Sequence, residues 1–172
     1  MHRHTNSRLS FASPPSPLRW LTIVMLAALT ACASGQPKPT KARMTVIAQA
    51  DVNPDASGRP SPVVVRVYQL QQDAKFKAAD FFALFDDEQQ ALGADLLARD
   101  EITLAPGERK EVQVEVKGEA KFLGAVAAFR DIRNSQWRAV QPAPKKGLLD
   151  VFKKDGVQVS VARAKVIVTI SD

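Results

Sequence analysis

Alternating hydrophobicity along most of the chain predicts a mainly β fold, a two-sheet antiparallel β-sandwich with a short inserted helical segment. Three observations carry that prediction. Apolar residues recur at every second position in separate runs between Arg43 and Ile170, the period at which side chains share one face of a strand. One stretch, Ala74 to Leu92, breaks the alternation and sets Phe76, Ala79, Phe82 and Ala83 at helical spacing. Proline and glycine punctuate the runs, as Pro106-Gly107 does before the strand at Lys110.

The elements follow in order. A first strand is expected from Arg43, where Met44, Val46 and Ala48 share one phase. Pro62 to Leu70 is a β-branched run with Tyr68 near its end. In the helical stretch Phe81, Leu84 and Phe85 lie beside the periodic residues. Packing of an inserted helix on the sandwich accounts for these phenylalanines, and a lipid or ligand pocket is the alternative they leave open. Lys110 to Lys117 turns Val112, Val114 and Val116 one way and Glu111, Gln113, Glu115 and Lys117 the other. Phe122 to Arg130 and Gln136 to Val140 extend the series, with Trp137 expected in the core, and a helical turn is expected over Gly147 to Lys154. Val157, Val159 and Val161 alternate in one phase and Val166, Val168 and Ile170 in the other, so a turn belongs near Ala162 to Lys165.

The N-terminal residues carry a different message. Arg3, Arg8 and Arg19 precede a nearly all-apolar run from Trp20 to Ala31, too short for a membrane span and typical of a secretory signal. Leu29-Thr30-Ala31-Cys32 then has the order of a bacterial lipoprotein processing site: small residues for a peptidase's narrow subsites, followed by a thiol that accepts a lipid. Cys32 is thus the candidate lipidation site and the first residue of the mature chain. Each buried methylene adds about 0.8 kcal/mol of membrane affinity, so several acyl chains would anchor it effectively permanently. In the lipoproteins this segment resembles, Asp after the cysteine often retains the protein in the inner membrane; Ala33 favours the outer membrane, with the domain facing the periplasm. The expected division is residues 1–31 signal peptide, 32–42 acylated cysteine and flexible tether, and 43–172 periplasmic sandwich. The tether holds Pro37 and Pro39 and no large apolar residue, and ten extended residues reach at most about 33–36 Å.

Composition narrows the chemistry. Loss of the signal takes three of the 24 basic residues and none of the 18 acidic ones, so the net charge falls from +6 to +3. Lys145-Lys146 and Lys153-Lys154 are isolated basic pairs without interleaved aromatics, and no nucleic acid partner is expected. His2 and His4 are the only histidines and Cys32 the only cysteine. The mature domain is therefore left without histidine or a free thiol for catalysis, and no metal or cofactor is expected. Asp86-Asp87-Glu88 and Asp100-Glu101 could supply a carboxylate pair for an envelope hydrolase, although such runs are usually solvated surface. A non-enzymatic protein is the expectation.

Asp51 to Pro62 joins two expected strands through 12 residues, where hairpins usually need about two to five. Pro54, Pro60 and Pro62 stiffen it, Gly58 permits a turn, and Asp51, Asn53, Asp55 and Arg59 offer polar contacts. A stiff loop loses less entropy on binding, which favours recognition of a partner.

Together the lipobox, Asn53-Pro54-Asp55, the run Gly58-Arg59-Pro60-Ser61-Pro62-Val63-Val64-Val65-Arg66-Val67-Tyr68-Gln69-Leu70, then Phe76, Ala79-Asp80-Phe81-Phe82, Leu92-Gly93-Ala94-Asp95 and Pro106-Gly107-Glu108 resemble the type VI secretion system outer-membrane lipoprotein family TssJ (SciN/VasD). The resemblance covers essentially all of the mature chain. It implies a transthyretin-like β-sandwich with added helices that binds the periplasmic C-terminal domain of the inner-membrane protein TssM. With TssL, met only indirectly, such lipoproteins form the trans-envelope complex on which the injection machine docks. It also implies that the loop between the first two strands touches the partner, making Asn53, Asp55, Gly58 and Arg59 the candidate partner-binding residues. A lipid- or ligand-carrying lipoprotein is the alternative reading. Replacing Cys32 with Ser is expected to leave the protein folded but soluble in the periplasm on fractionation; continued outer-membrane retention would refute the lipidation site.

Overall fold

The computed structural model describes residues 40–143 and 156–170. Cys32, most of the expected tether and the expected turn at 147–154 lie outside them. Eight strands form two four-stranded sheets: β1 (Thr40–Ala48), β2 (Val63–Leu70), β3 (Leu96–Leu104), β4 (Arg109–Val116), β5 (Phe122–Ala127), β6 (Arg138–Pro142), β7 (Val157–Ala162) and β8 (Lys165–Ile170). The first sheet has the order β4-β1-β7-β8 and the second β3-β2-β5-β6. Every pairing is antiparallel except that of β1 with β7, which is parallel. The mainly β, two-sheet class is as expected. β1 begins at Thr40, three residues before Arg43, because Thr40, Lys41 and Ala42 pair with Val116, Glu115 and Val114.

The alternating residues meet where the sheets face each other. Met44, Val46 and Ala48 of β1, Val65 and Val67 of β2, Leu123 and Ala125 of β5, and Val157, Val159 and Val161 of β7 are all buried in one core. One polar side chain joins them: Gln69 donates through Nε2 to the Glu115 carbonyl at 2.9 Å and accepts from the Lys117 amide at 2.8 Å, tying β2 to the end of β4 in the opposite sheet. Strand β3 was not among the runs expected from alternation. Its solvent-side residues and register are clear in the structure, where Arg66 pairs with Glu101 and Tyr68 with Arg99 across the β2–β3 ladder.

The second sheet is apolar on its outer face as well. There Tyr68, Leu70 and Val126 pack under Phe76, Phe81, Leu84 and Leu92 of the helical insert, forming a second core. The insert is not one helix. Asp80 and Asp87 divide it into α1 (Ala74–Ala78), α2 (Phe81–Asp86) and α3 (Glu88–Leu92), because each aspartate turns its carboxylate onto an amide three residues ahead, Ala83 and Gln90, and so starts a new turn. Phe76 is buried as expected, whereas Phe82 is 66% exposed. Restarting the helix at Asp80 rotates Phe82 off the face that helical spacing assigned to it. Phe81 instead stacks on Phe85 at 5.1 Å and meets Trp137 edge-on at 5.5 Å.

Gly124 sits beneath the insert. It lies opposite Tyr68 in the ladder, and a Cβ on it would come within 2.7 Å of the Phe76 ring. Gly124→Ala is expected to force Phe76 and α1 outward and to cost about 1–3 kcal/mol, read from urea denaturation; an unchanged midpoint would show that the insert yields freely.

Candidate functional site

The β1–β2 loop is pinned at its base and shaped at its tip by its own side chains. Val52 is buried in the sandwich core. Asn53 follows with a left-handed backbone, φ 48°, a conformation asparagine tolerates better than most residues. Its amide donates to the Arg163 carbonyl at 3.0 Å, its Nδ2 donates to the Pro62 carbonyl at 2.7 Å, and its Oδ1 accepts from the Arg130 amide at 2.8 Å. One residue, 4% exposed, therefore joins both ends of the loop and the segment after β5 through its side chain, and the β7–β8 turn through its backbone amide.

The tip closes on Asp55. Its amide donates to the Arg59 carbonyl at 2.8 Å, and the Gly58 amide donates back to the Asp55 carbonyl at 2.9 Å. Oδ1 accepts from the Ser57 and Arg59 amides at 2.8 and 3.0 Å, while Oδ2 meets the Arg59 guanidinium at 2.8 Å. The Arg59 amide above all, with its guanidinium and the Ser57 amide, holds the Asp55 carboxyl below the usual carboxylate range against the opposing effect of desolvation. Gly58, at φ 78°, supplies the positive φ that this tight return requires. Arg59 leaves 79% of its side chain in solvent.

The four loop residues expected to meet a partner thus divide by geometry. Arg59 and Gly58 are outward. Asp55 spends its carboxylate on the loop itself, and Asn53 is an internal staple rather than a surface contact. Replacing Asn53, Asp55 and Arg59 together would consequently disturb the loop's framework along with its surface.

The loop forms one wall of an open cleft of about 520 Å³. Asn53, Pro54, Asp55 and Ala56 face Phe129, Arg130, Asp131 and Asn134 from the segment after β5, with Arg163 and Ala164 of the β7–β8 turn between them. Paired hydrogen bonds hold the far walls together: Gln136 donates to the Ala164 carbonyl at 2.8 Å and accepts from the Val166 amide at 3.0 Å. Loop composition drew attention to Asn53 and Asp55. Nothing local in the sequence marked Arg130, Asn134 or Arg163, which topology alone brings beside them.

Of the carboxylates considered for hydrolysis, which lie elsewhere, Asp87 accepts from the Gln90 amide and Glu88 and Glu101 are engaged by arginines. Glu88 meets Arg99 at 2.6 Å and Arg66 at 3.1 Å, and Glu101 meets Arg66 at 2.7 Å and Arg99 at 2.9 Å. Two arginines alternate with two glutamates and clasp α3 to β2 and β3. The aromatic residues considered for a ligand pocket pack on one another and on the second sheet.

This architecture is that of a rigid β-sandwich with a helical layer on one face and a preformed loop cleft at one end, a class suited to presenting a surface. Residues 40–164 match the family described as type VI secretion lipoprotein, T6SS-SciN (VasD, EvfM, TssJ). The chain belongs to that family. It is similar to the T6SS lipoprotein TssJ1 of Pseudomonas aeruginosa, with 30% identity over 78% of this chain and 98% of that one and a TM-score of 0.66. Similar too is Serratia marcescens Lip, a membrane-bound component of the type VI secretion system, with 27% identity over 77% and 99% of the two chains and a TM-score of 0.63. A chain in the structure of the T6SS protein TssM C-terminal domain from EAEC matches with 26% identity over 76% of this chain and 98% of that one, with a TM-score of 0.58. Comparison with curated proteins finds no match.

Asn53→Ala would strand the Arg130 amide and the Pro62 carbonyl, and is expected to lower stability by about 1–3 kcal/mol. Arg59→Ala should stay within about 0.5 kcal/mol, and equal urea midpoints for the two would contradict the staple. Because the Asp55 pKa is depressed, its clasp is complete above the ordinary value of 3.8 and is lost as pH falls through the lowered one. The Ser57 and Arg59 amide resonances should therefore titrate below pH 3.8, and constant shifts down to unfolding would refute the clasp.

Proposed function

We propose that this lipoprotein is an anchor and assembly factor of the type VI secretion membrane complex, held in the outer membrane through acylated Cys32, facing the periplasm, and acting without catalysis. Its loop end binds the periplasmic C-terminal domain of TssM, and through TssM it is connected to TssL. The observation that carries this reading is the match along nearly the whole of a chain in the EAEC TssM C-terminal domain structure, in a chain that also has the family's fold.

The loop geometry fits the task physically. Asn53 and Asp55 satisfy most of the loop's polar groups internally, so the tip keeps one shape before a partner arrives. Little ordering entropy then remains to be lost on binding. Arg59 and Gly58 form the outward part of the contact, while Asn53 and Asp55 contribute by holding them in place. The tether from Cys32 gives the domain reach from the lipid surface.

The test is calorimetric titration of residues 32–172 carrying Cys32→Ser against the C-terminal domain of TssM from the same genome. Saturable binding near 1:1 is expected, with Arg59→Ala weakening it while leaving the urea midpoint unchanged. Absence of binding between two folded proteins would overturn the reading.

A further inference from the structure

Beside the loop, the cleft holds two arginines without a salt bridge among the described residues, alongside the carboxylates of Asp55 and Asp131. Arg130 and Arg163 form no ion pair and no side-chain hydrogen bond among the described residues, although both line the cleft. The two carboxylates lining it partly offset this charge, Arg130 acting on Asp55 at a distance, but both already accept hydrogen bonds from nearer donors. Asp55 is held by Arg59 and two amides, and Asp131 accepts from the Asn134 amide at 3.3 Å and from its Nδ2 at 2.8 Å. Elsewhere on this domain several exposed cations sit in ion pairs, as Lys77 does with Asp73, Lys110 with Glu108 and Lys117 with Glu115. The cleft is where two guanidinium groups line one concave surface.

Their setting selects among anions. Pro54, Ala56, Ala164 and Phe129 line the same cleft and add apolar groups to it. A small inorganic anion would gain nothing from those groups, whereas a peptide carrying an acidic side chain next to an apolar one would use both parts. The backbone positions of the walls are fixed by the Asn53 staple, by the Asn53 amide on the Arg163 carbonyl and by the Gln136 bridge to β8. Arg130 and Arg163 therefore project from anchored points, a condition that lets a fork-shaped guanidinium bind a carboxylate with direction as well as charge.

Resting on the reading above that the loop end meets TssM, we infer that the cleft receives an acidic segment of the TssM C-terminal domain, with Arg130 and Arg163 engaging its carboxylates. The interface then spans three stretches far apart in sequence: the β1–β2 loop, the segment after β5 and the β7–β8 turn. The loop supplies the wall and the two arginines supply the charge.

The test uses the same titration with Arg130→Glu/Arg163→Glu, and with Lys41→Glu/Lys121→Glu as a control of equal charge change at the opposite end of the strands. Urea midpoints of both variants should stay close to that of the parent. The cleft variant should bind at least about tenfold more weakly and lose most of the salt dependence of binding, while the control stays within about twofold. Parent binding left unchanged by the cleft variant, or weakened equally by both variants, overturns the inference and leaves the TssM reading standing. Failure of the parent itself to bind removes both.

Discussion

Strands β2 and β5 are apolar on both faces, and much of the architecture is a response to that constraint. Val65, Val67, Leu123 and Ala125 face the first sheet, while Tyr68, Leu70 and Val126 face the other way and are just as deeply buried. A sandwich of two sheets covers only the first set. Each large side chain left exposed would forfeit roughly 1.5–3 kcal/mol of burial, so a third layer is required. The segment between β2 and β3 provides it. Helices of one or two turns cannot stand alone in water, and here the sheet completes them. Arg138 donates to the Phe76 and Ala79 carbonyls at 2.7 Å, the Tyr68 hydroxyl to the Leu84 carbonyl at 2.8 Å, Arg66 to the Phe85 carbonyl, and Lys75 to the Leu92 carbonyl at 3.2 Å. Carbonyls near the ends of all three helices are thus capped by side-chain donors, three of them cationic, where the helix dipole favours positive charge. Burial pushes the Tyr68 hydroxyl up to about 12, with the Glu88 charge adding to the effect, so it remains a donor throughout the neutral pH range.

The loop end solves a different problem with the same economy of groups. A long connection exposes backbone donors and acceptors that must be satisfied if it is to hold one shape. Asn53 satisfies two partners through its side chain and a third through its amide, and Asp55 gathers the tip. The loop is consequently continuous with the sandwich rather than appended to it. Val52 is part of the main core, the Arg130 amide belongs to the strand exit of β5, and Arg163 belongs to the turn between the two strands that follow β1 in the first sheet. Rigidity in the core and definition at the cleft come from one set of contacts.

How much of this was legible depended on whether the determining contact was local. Strands with one buried face announced themselves through period-two alternation, and the aromatic insert through its departure from it. Strand β3 did not, because Arg99, Asp100 and Glu101 read as surface charge and only Ile102 and Leu104 mark its inner face. The breaks at Asp80 and Asp87 were hidden by a periodicity that tolerated a continuous helix; the decisive competition was between a carboxylate and the next turn's amide. Alternation assigns faces but not neighbours, so the parallel β1–β7 pairing could not be read. The same limit applied at the site. Asn53 was conspicuous as a loop polar residue, but its partners Arg130 and Arg163 lie 77 and 110 positions further along the chain.

The route of β1 connects the two ends of the proposed task. It begins at Thr40, the first described residue, and ends at Ala48, directly before the loop. Nine residues of strand at about 3.4 Å per residue separate these points by roughly 27 Å. A lipid pulling on Cys32 and a partner pulling on the loop would load the domain along this strand. β1 is central in its sheet, bonded to β4 over most of its length and to β7 at its loop end. Tension between those points would be carried by the covalent backbone of β1 itself, with the two ladders holding the strand in place against its neighbours. An anchor that joins an envelope membrane to a protein rooted in the opposite one is served by that geometry, since the stiffest path through the domain runs between its two attachment points.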